Sequence, residues 1–300
     1  MRKEGSKVSE RRELLARMQD GEFLKSVQID PPKTNSPEEL FSDVELLKQA
    51  GVKIVDVNAS RRLSFDSIQL ASSLTHVGLQ VIPHVTTRDG SLPGLLNKIL
   101  AAYALSDIRD FLVVSGDPYD PSNNDTNGLF QKDSLCVIKE IDSQLRNSQL
   151  ALNLTLGAAV NQNTDHAIEG ERVEAKVRVG ADFFMSQPIF TPQQAEYTYR
   201  FYRQHANKPL VIGVWPLTHL RTVENIRGNK VVGVNIPDEI YEEALSHKND
   251  PLALRTWGIQ KASELVRFAE ESGVAQGVYI VAPLKKPGQL IDLVQTINNW

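Results

Sequence analysis

The sequence predicts an α/β fold, a single (β/α)8 TIM barrel with an extra N-terminal helix. Two observations carry this. Eight short, β-branched apolar runs alternate with stretches of helical periodicity along nearly all 300 residues, and strand–helix alternation of this kind builds a parallel sheet. Eight such units suit a closed barrel better than an open doubly wound sheet, and no Pro-, Gly- or Ser-rich linker divides the chain.

In order, residues 1–21 read as a charged N-terminal helical extension, with a helix over about 9–19, and residues 22–300 as the barrel. The first strand is "FLKSVQI"; it must stop near Asp30, because Pro31 and Pro32 have no N–H to give a ladder. Side chains two apart share a face, so Gln28 and Asp30 point one way and Val27 and Ile29 the other. Ser36-Pro37-Glu38 opens the next helix, whose Leu40, Val44 and Leu47 recur at helical spacing, and Gly51 closes it. Further strands are expected at 52–57, 78–83, 110–115, 150–156, 181–186, 209–214 and 277–282. Between the seventh and eighth the rhythm weakens: "NKVVGVNIPDEIYEEALSHKND" and a helix at about 252–271 mark insertions. The stretch 117–133 is the most loop-like and follows a strand, where barrel enzymes carry function.

Composition narrows the class. With 41% hydrophobic and 23% charged residues the chain is an ordinary globular protein. A net charge of −4 without a long basic run argues against a nucleic-acid binder. The single Cys136 reads as a buried structural thiol in a helix. The charged N-terminus lacks the apolar core of a signal peptide, and no apolar run reaches the roughly 18 residues of a membrane span, so a cytoplasmic location is expected.

Barrel active sites lie at the C-terminal ends of the strands. The polar residues there are Gln28, Asp30, Asp56, Asn58, His84, Thr86, Ser115-Gly116-Asp117, Asn161, Gln187, Trp215, Thr218 and His219. They are rich in hydrogen-bonding groups and poor in nucleophiles. No His pair has metal spacing and no Ser–His–Asp order stands out, so no metal site is expected. Such a site borrows its chemistry from a cofactor, yet neither a dinucleotide fingerprint nor a P-loop is present. In "FLVVSGDP", Gly116 bares the backbone to a ligand and Asp117 sets a carboxylate beside it; a plain Gly-Asp-Pro turn is the competing reading.

The segments "VQIDPPKT", "VIPHVTTRD", "FLVVSGDP", "EAKVRVGADFFMSQPIF" and "IGVWPL" fall in one order and spacing. In these the chain resembles the flavin-dependent methylenetetrahydrofolate reductases, and is most similar to the branch also found fused behind a homocysteine methyltransferase. The resemblance spans roughly residues 22–298. It implies a barrel holding FAD, and a ping-pong reaction in which NAD(P)H reduces the flavin and 5,10-methylenetetrahydrofolate then takes the hydride to become 5-methyltetrahydrofolate, feeding methionine synthesis. It also implies a homo-oligomer. By position, Asp117 matches the aspartate beside flavin and pterin, Ser115 and Gly116 the flavin contacts, and Asn58 and His84 the pocket lining. Asn161, Glu169 and Lys176 match contacts to the rest of FAD, with Lys176 at the phosphates, and Gln187 and Leu220 match substrate contacts.

One departure stands out. The family usually has a glutamate where this sequence has Gln28, and the resemblance implies that this acid is the proposed proton donor to the folate. A carboxamide hydrogen-bonds but supplies no proton near neutral pH. Asp30, or a water ordered by Gln28, is the substitute the sequence offers. Two other functions follow if neither serves: a flavin- or folate-binding relative without reductase activity, acting as a regulatory or partner subunit, or a pterin-dependent methyltransferase.

Overall fold

The computed structural model describes residues 14–33, 35–119 and 128–297. Eight parallel strands close into a barrel: β1 (Leu24–Ile29), β2 (Ile54–Val57), β3 (Gln80–Thr86), β4 (Asp110–Val114), β5 (Thr155–Val160), β6 (Phe183–Ile189), β7 (Leu210–Val214) and β8 (Gly277–Val281). They follow one another in chain order, and β1 pairs with both β2 and β8. The expected (β/α)8 barrel is therefore the fold.

Alternation along the strands sorts residues into two cores. Val27, Ile29, Val55, Val57, Val81 and Val85 point outward and pack beneath the helices. Leu24, Ile54, Ile82, Leu112, Phe183 and Met185 point to the axis and fill the lower barrel. α1 (Leu14–Gln19) closes that end: Leu14 and Met18 join the inner cluster. Arg17 ties it to the wall by bonding Gln80 at 2.7 Å, and Gln80 in turn donates to Asp110 at 2.8 Å. The start of the helix expected from about residue 9 lies outside the described residues.

The outer layer is α2 (Glu38–Gln49), α3 (Ser67–His76), α4 (Leu92–Ser106), α5 (Ser134–Ile141), α6 (His166–Arg178), α7 (Pro192–His205), α10 (Pro251–Ser272) and α11 (Ile291–Thr296). Asp66, Ser91, Asp133, Asp165, Thr191 and Asp250 each accept backbone N–H groups at a helix start. The irregular region after β7 holds α8 (Leu220–Arg227) and α9 (Asp238–Ser246), with a small core of their own around Phe190, Val223, Ile236 and Ile240. Cys136 lies in α5 as expected but is half-buried, because Val137 and Ile138 take the inward positions.

The fifth strand is displaced. The run at 150–156 has a strand-like alternation, but Ala151 is left-handed at φ 46° and the ladder begins only at Thr155. The strand is built instead from small residues, Gly157, Ala158 and Ala159, which carry little strand signal. At Gly157 the reason is Phe183 of β6, which fills the space beside it: a Cβ on Gly157 lies 2.4 Å from the Phe183 ring. That ring is wholly buried and cannot retreat. Gly157→Ala is thus expected to destabilise the barrel by about 1–3 kcal/mol through overpacking, read as a lower urea midpoint at unchanged slope.

Candidate active site

Above the apolar plug the barrel axis turns polar and opens into a cleft of about 430 Å³. Of the residues expected at the site, Gln28, Asn58, His84, Ser115, Gly116, Asp117 and Gln187 line it. A second cleft of about 410 Å³ adjoins it, sharing Val114, Ser115 and Ala159, and gathers Asn161, Glu169 and Lys176. The predicted set thus divides between two adjoining clefts. Asp30 and Leu220 line neither. Asp30 accepts from Asn58 at 2.9 Å and from Lys285 at 2.8 Å, so it anchors two side chains that do face the first cleft. Leu220 begins α8 and packs against the small core there.

The floor of the first cleft is a buried polar layer. Gln28 on β1 is the register partner of Asp56 on β2. Asp56 is fully buried; Ser26 donates to its Oδ2 at 2.8 Å, while its Oδ1 lies 3.4 Å from Nε2 of His84. Neither of those two facing atoms has a hydrogen bond. Tyr279 of β8 donates to the Ser186 carbonyl at 2.7 Å, and burial, with the Asp56 charge adding to it, pushes its phenol far above the ordinary range.

The rim is held by a group that sequence reading passed over. Gly116 has φ +80°, and a Cβ there meets Thr86 at 3.0 Å, so the turn between Ser115 and Asp117 requires glycine. Beneath it the Arg88 side chain, only 1% exposed, donates to the carbonyls of Asp117 and Ser60, each at 2.9 Å. Its charge is met by a forked pair to Asp89 at 2.6 and 2.8 Å. Asp89 also accepts from Tyr119 at 2.6 Å and from Thr86, and the Tyr119 ring covers the guanidinium at 4.6 Å. In the sequence, Arg88 and Asp89 stand inside "VIPHVTTRD" with no role attached to either. Part of the loop expected at 117–133, residues 120–127, lies outside the described residues.

On the far side, Gln162 fixes Gln187 by its backbone, donating to the carbonyl at 3.0 Å and accepting the N–H at 3.1 Å. The segment before α9 reaches over this edge: Val232 lines the first cleft, and Asn163 donates to the Gly233 carbonyl at 2.9 Å. In the second cleft, Lys176 donates to the Ala159 carbonyl at 2.6 Å and stands 3.9 Å from Glu169, which itself accepts the Asn161 N–H at 3.0 Å. Burial lowers the Lys176 ammonium, with the Glu169 carboxylate opposing. Arg172 is the other cation there. Among the described residues no His, Cys, Asp and Glu cluster is placed to hold a metal, and no helix is long and apolar enough to cross a membrane.

Arg88→Met removes both carbonyl contacts and strands Asp89. It is expected to cost about 3 kcal/mol, the low end for breaking a buried pair because Asp89 is partly open to solvent, measured by urea unfolding. Acid supplies a second reading of the same pair. Burial pulls the Asp89 carboxyl up, but the bonds from Arg88, Thr86 and Tyr119 outweigh it and hold the group below its ordinary value. A depressed carboxyl stabilises the fold above its unfolded pKa and loses that contribution as pH falls through its folded one. Below about pH 4, Asp89→Asn should therefore lose less stability than the parent protein, in thermal melts across that range.

Comparison with known proteins agrees with this architecture. A Clostridium thermocellum protein described as binding two copies of 5-methyl-5,6,7,8-tetrahydrofolic acid superposes with a TM-score of 0.62 at 16% identity, over 94% of this chain and 97% of its own. A 2,3-dimethylmalate lyase superposes at 0.54 with 14% identity, over 93% of this chain and 80% of its own. At such identities these show the fold alone. A probable methylenetetrahydrofolate reductase (NADPH) of Caenorhabditis elegans is 23% identical over 288 residues, covering 92% of this chain but 42% of the relative, so the chain spans less than half of that protein's length. The sequence model of the methylenetetrahydrofolate reductases matches residues 13–295, almost the entire described barrel, and the chain belongs to that family.

Proposed function

We propose that this chain is an FAD-dependent reductase of 5,10-methylenetetrahydrofolate that uses NAD(P)H. The observation that carries the reading is the pair of adjoining clefts: one polar and set on the barrel axis, the other lined by Lys176 and Arg172. A flavin ring suits the first, where Gly116 leaves backbone bare and His84 and Asn58 face inward. Phosphates suit the second, where two cations gather. The residues present therefore fit the group. Bound there, FAD supplies two-electron hydride chemistry, which none of the lining side chains can perform.

The chain's own residues hold and polarise. Asp117, on a turn pinned by Arg88, presents a carboxylate to the cation that develops when the folate's one-carbon bridge opens, and accepts from the pterin amino groups. Gln187, fixed through its backbone by Gln162, offers an amide to the pterin edge. Lys285, held by Asp30, and Arg61 add positive charge at the mouth, matching the anionic tails of folate and dinucleotide. Cytoplasmic one-carbon metabolism feeding methionine synthesis is the corresponding setting.

Purified protein should be yellow, be bleached anaerobically by NADH or NADPH, and regain colour with methylenetetrahydrofolate while 5-methyltetrahydrofolate forms. Flavin that is not bleached, or that bleaches without folate turnover, overturns the reading in favour of a binding subunit. A colourless folate binder overturns it in favour of a methyltransferase. Lys176→Met should weaken FAD binding roughly tenfold to a hundredfold, the value of a hydrogen bond to a charged group, by fluorescence titration of the apoprotein.

A further inference from the structure

We propose that His84, oriented by Asp56, is the proton donor of the folate half-reaction, in the position that Gln28 cannot fill; this rests on the reductase reading above. The starting point is the pair of idle atoms at the cleft floor. Asp56 Oδ1 and His84 Nε2 face each other at 3.4 Å, both out of contact with water and both without a hydrogen bond. A wholly buried carboxylate is kept in a barrel interior only with a partner, and Ser26 satisfies just one of its oxygens. The ring is the remaining partner, within a small rotation of hydrogen-bonding distance.

The strand is already fixed for this: Ser67 donates to the His84 carbonyl at 2.7 Å. His84 lines the cleft, so with Nε2 turned to Asp56 its Nδ1 is the nitrogen left for a ligand. Asp56 thereby sets the tautomer and orientation, the task of a positioning residue.

The other polar groups facing this space are engaged otherwise. Gln28 has no acidic proton. Asp30 is held by Asn58 and Lys285 and does not line the cleft. The Tyr279 hydroxyl is bonded to the Ser186 carbonyl, and Arg88 is locked by Asp89 and two carbonyls. Asp117 must stay a carboxylate to favour the cation. His84 is left.

In the step, the Nδ1–H bond of the imidazolium breaks and its proton goes to N10 of the methylene-bridged folate. The N10 lone pair forms the new N–H bond, the pair that joined the bridging carbon to N10 leaves with N10, and the N5 lone pair closes the double bond that makes that carbon and N5 an iminium cation. Addition of a hydride to this carbon gives the methyl group, so each turnover consumes one proton and one hydride. The neutral ring keeps Nε2–H toward Asp56 and regains its proton from water entering the cleft.

The test reads the folate step alone. FAD-loaded wild type, His84→Gln and Asp56→Asn are reduced with dithionite, then mixed anaerobically with methylenetetrahydrofolate, and flavin reoxidation is followed. His84→Gln should be slower by about 10²–10⁴-fold, the usual worth of a general acid, and His84→Ala should be partly rescued by added imidazole. Reoxidation of His84→Gln at the wild-type rate overturns the proposal. A second measurement uses 15N-histidine protein without cofactor, so it stands even if the His84 variants load poorly. The His84 signal should show Nε2 protonated, and Asp56→Asn should abolish that preference; a proton on Nδ1 with Nε2 bare overturns the dyad. Wild-type protein that folate fails to reoxidise overturns the reductase reading itself, a result distinct from one confined to the variants.

Discussion

Barrel closure is the constraint on which the rest depends. Because β1 is hydrogen-bonded to β2 on one side and to β8 on the other, no strand has a free edge, and every second side chain is forced toward one axis. The lower half of that axis is sealed by Leu24, Ile54, Leu112 and Phe183, with α1 beneath. Polar residues farther along the same strands are then confined to the upper half, where they have nowhere to point but the cleft.

Confinement makes their hydrogen bonds matter. A polar group removed from water costs about 1–3 kcal/mol when left unpaired, and several groups of the upper layer avoid this through bonds to other elements: Ser26 to Asp56 on the next strand, Tyr279 of β8 to Ser186 of β6, and Gln162, just past β5, to Gln187. Such bonds lock rotamers, and locked rotamers are what a binding site for a planar ligand requires. Arg88 does the same at the rim. A buried guanidinium is held by Asp89 while its remaining N–H groups fix two loop carbonyls, so the Ser115-Gly116-Asp117 turn rests on rigid support although it belongs to a loop.

How much of this could be read beforehand follows from range. The strands were legible because β-branched runs report a local property; β5 was misplaced because its residues are small, Gly157 for the sake of Phe183, some 26 positions away. The candidate lining was legible at strand ends, where "SGDP" and "PHVT" carry motifs. Arg88 and Gln162 were not, since an arginine in a turn and a glutamine after a strand look solvent-facing until the fold brings Asp89, Ser60 and Gln187 around them. By its place in the sequence Asp56 is only a strand-end residue. Its opposition to His84 depends on β2–β3 pairing, which no local pattern encodes.

The same pairing bears on the amide at position 28. Register partners on adjacent strands lie about 4.8 Å apart, and Gln28 is the partner of a wholly buried Asp56. A second carboxylate at 28 would set two like charges side by side above an apolar plug, where one of them could ionise only at great cost. With a carboxylate fixed on β2, a neutral hydrogen-bonding group on β1 is the arrangement the local field allows. The amide at Gln28 and the buried acid at Asp56 are therefore two sides of one electrostatic balance, with the acid standing on β2 and facing a histidine.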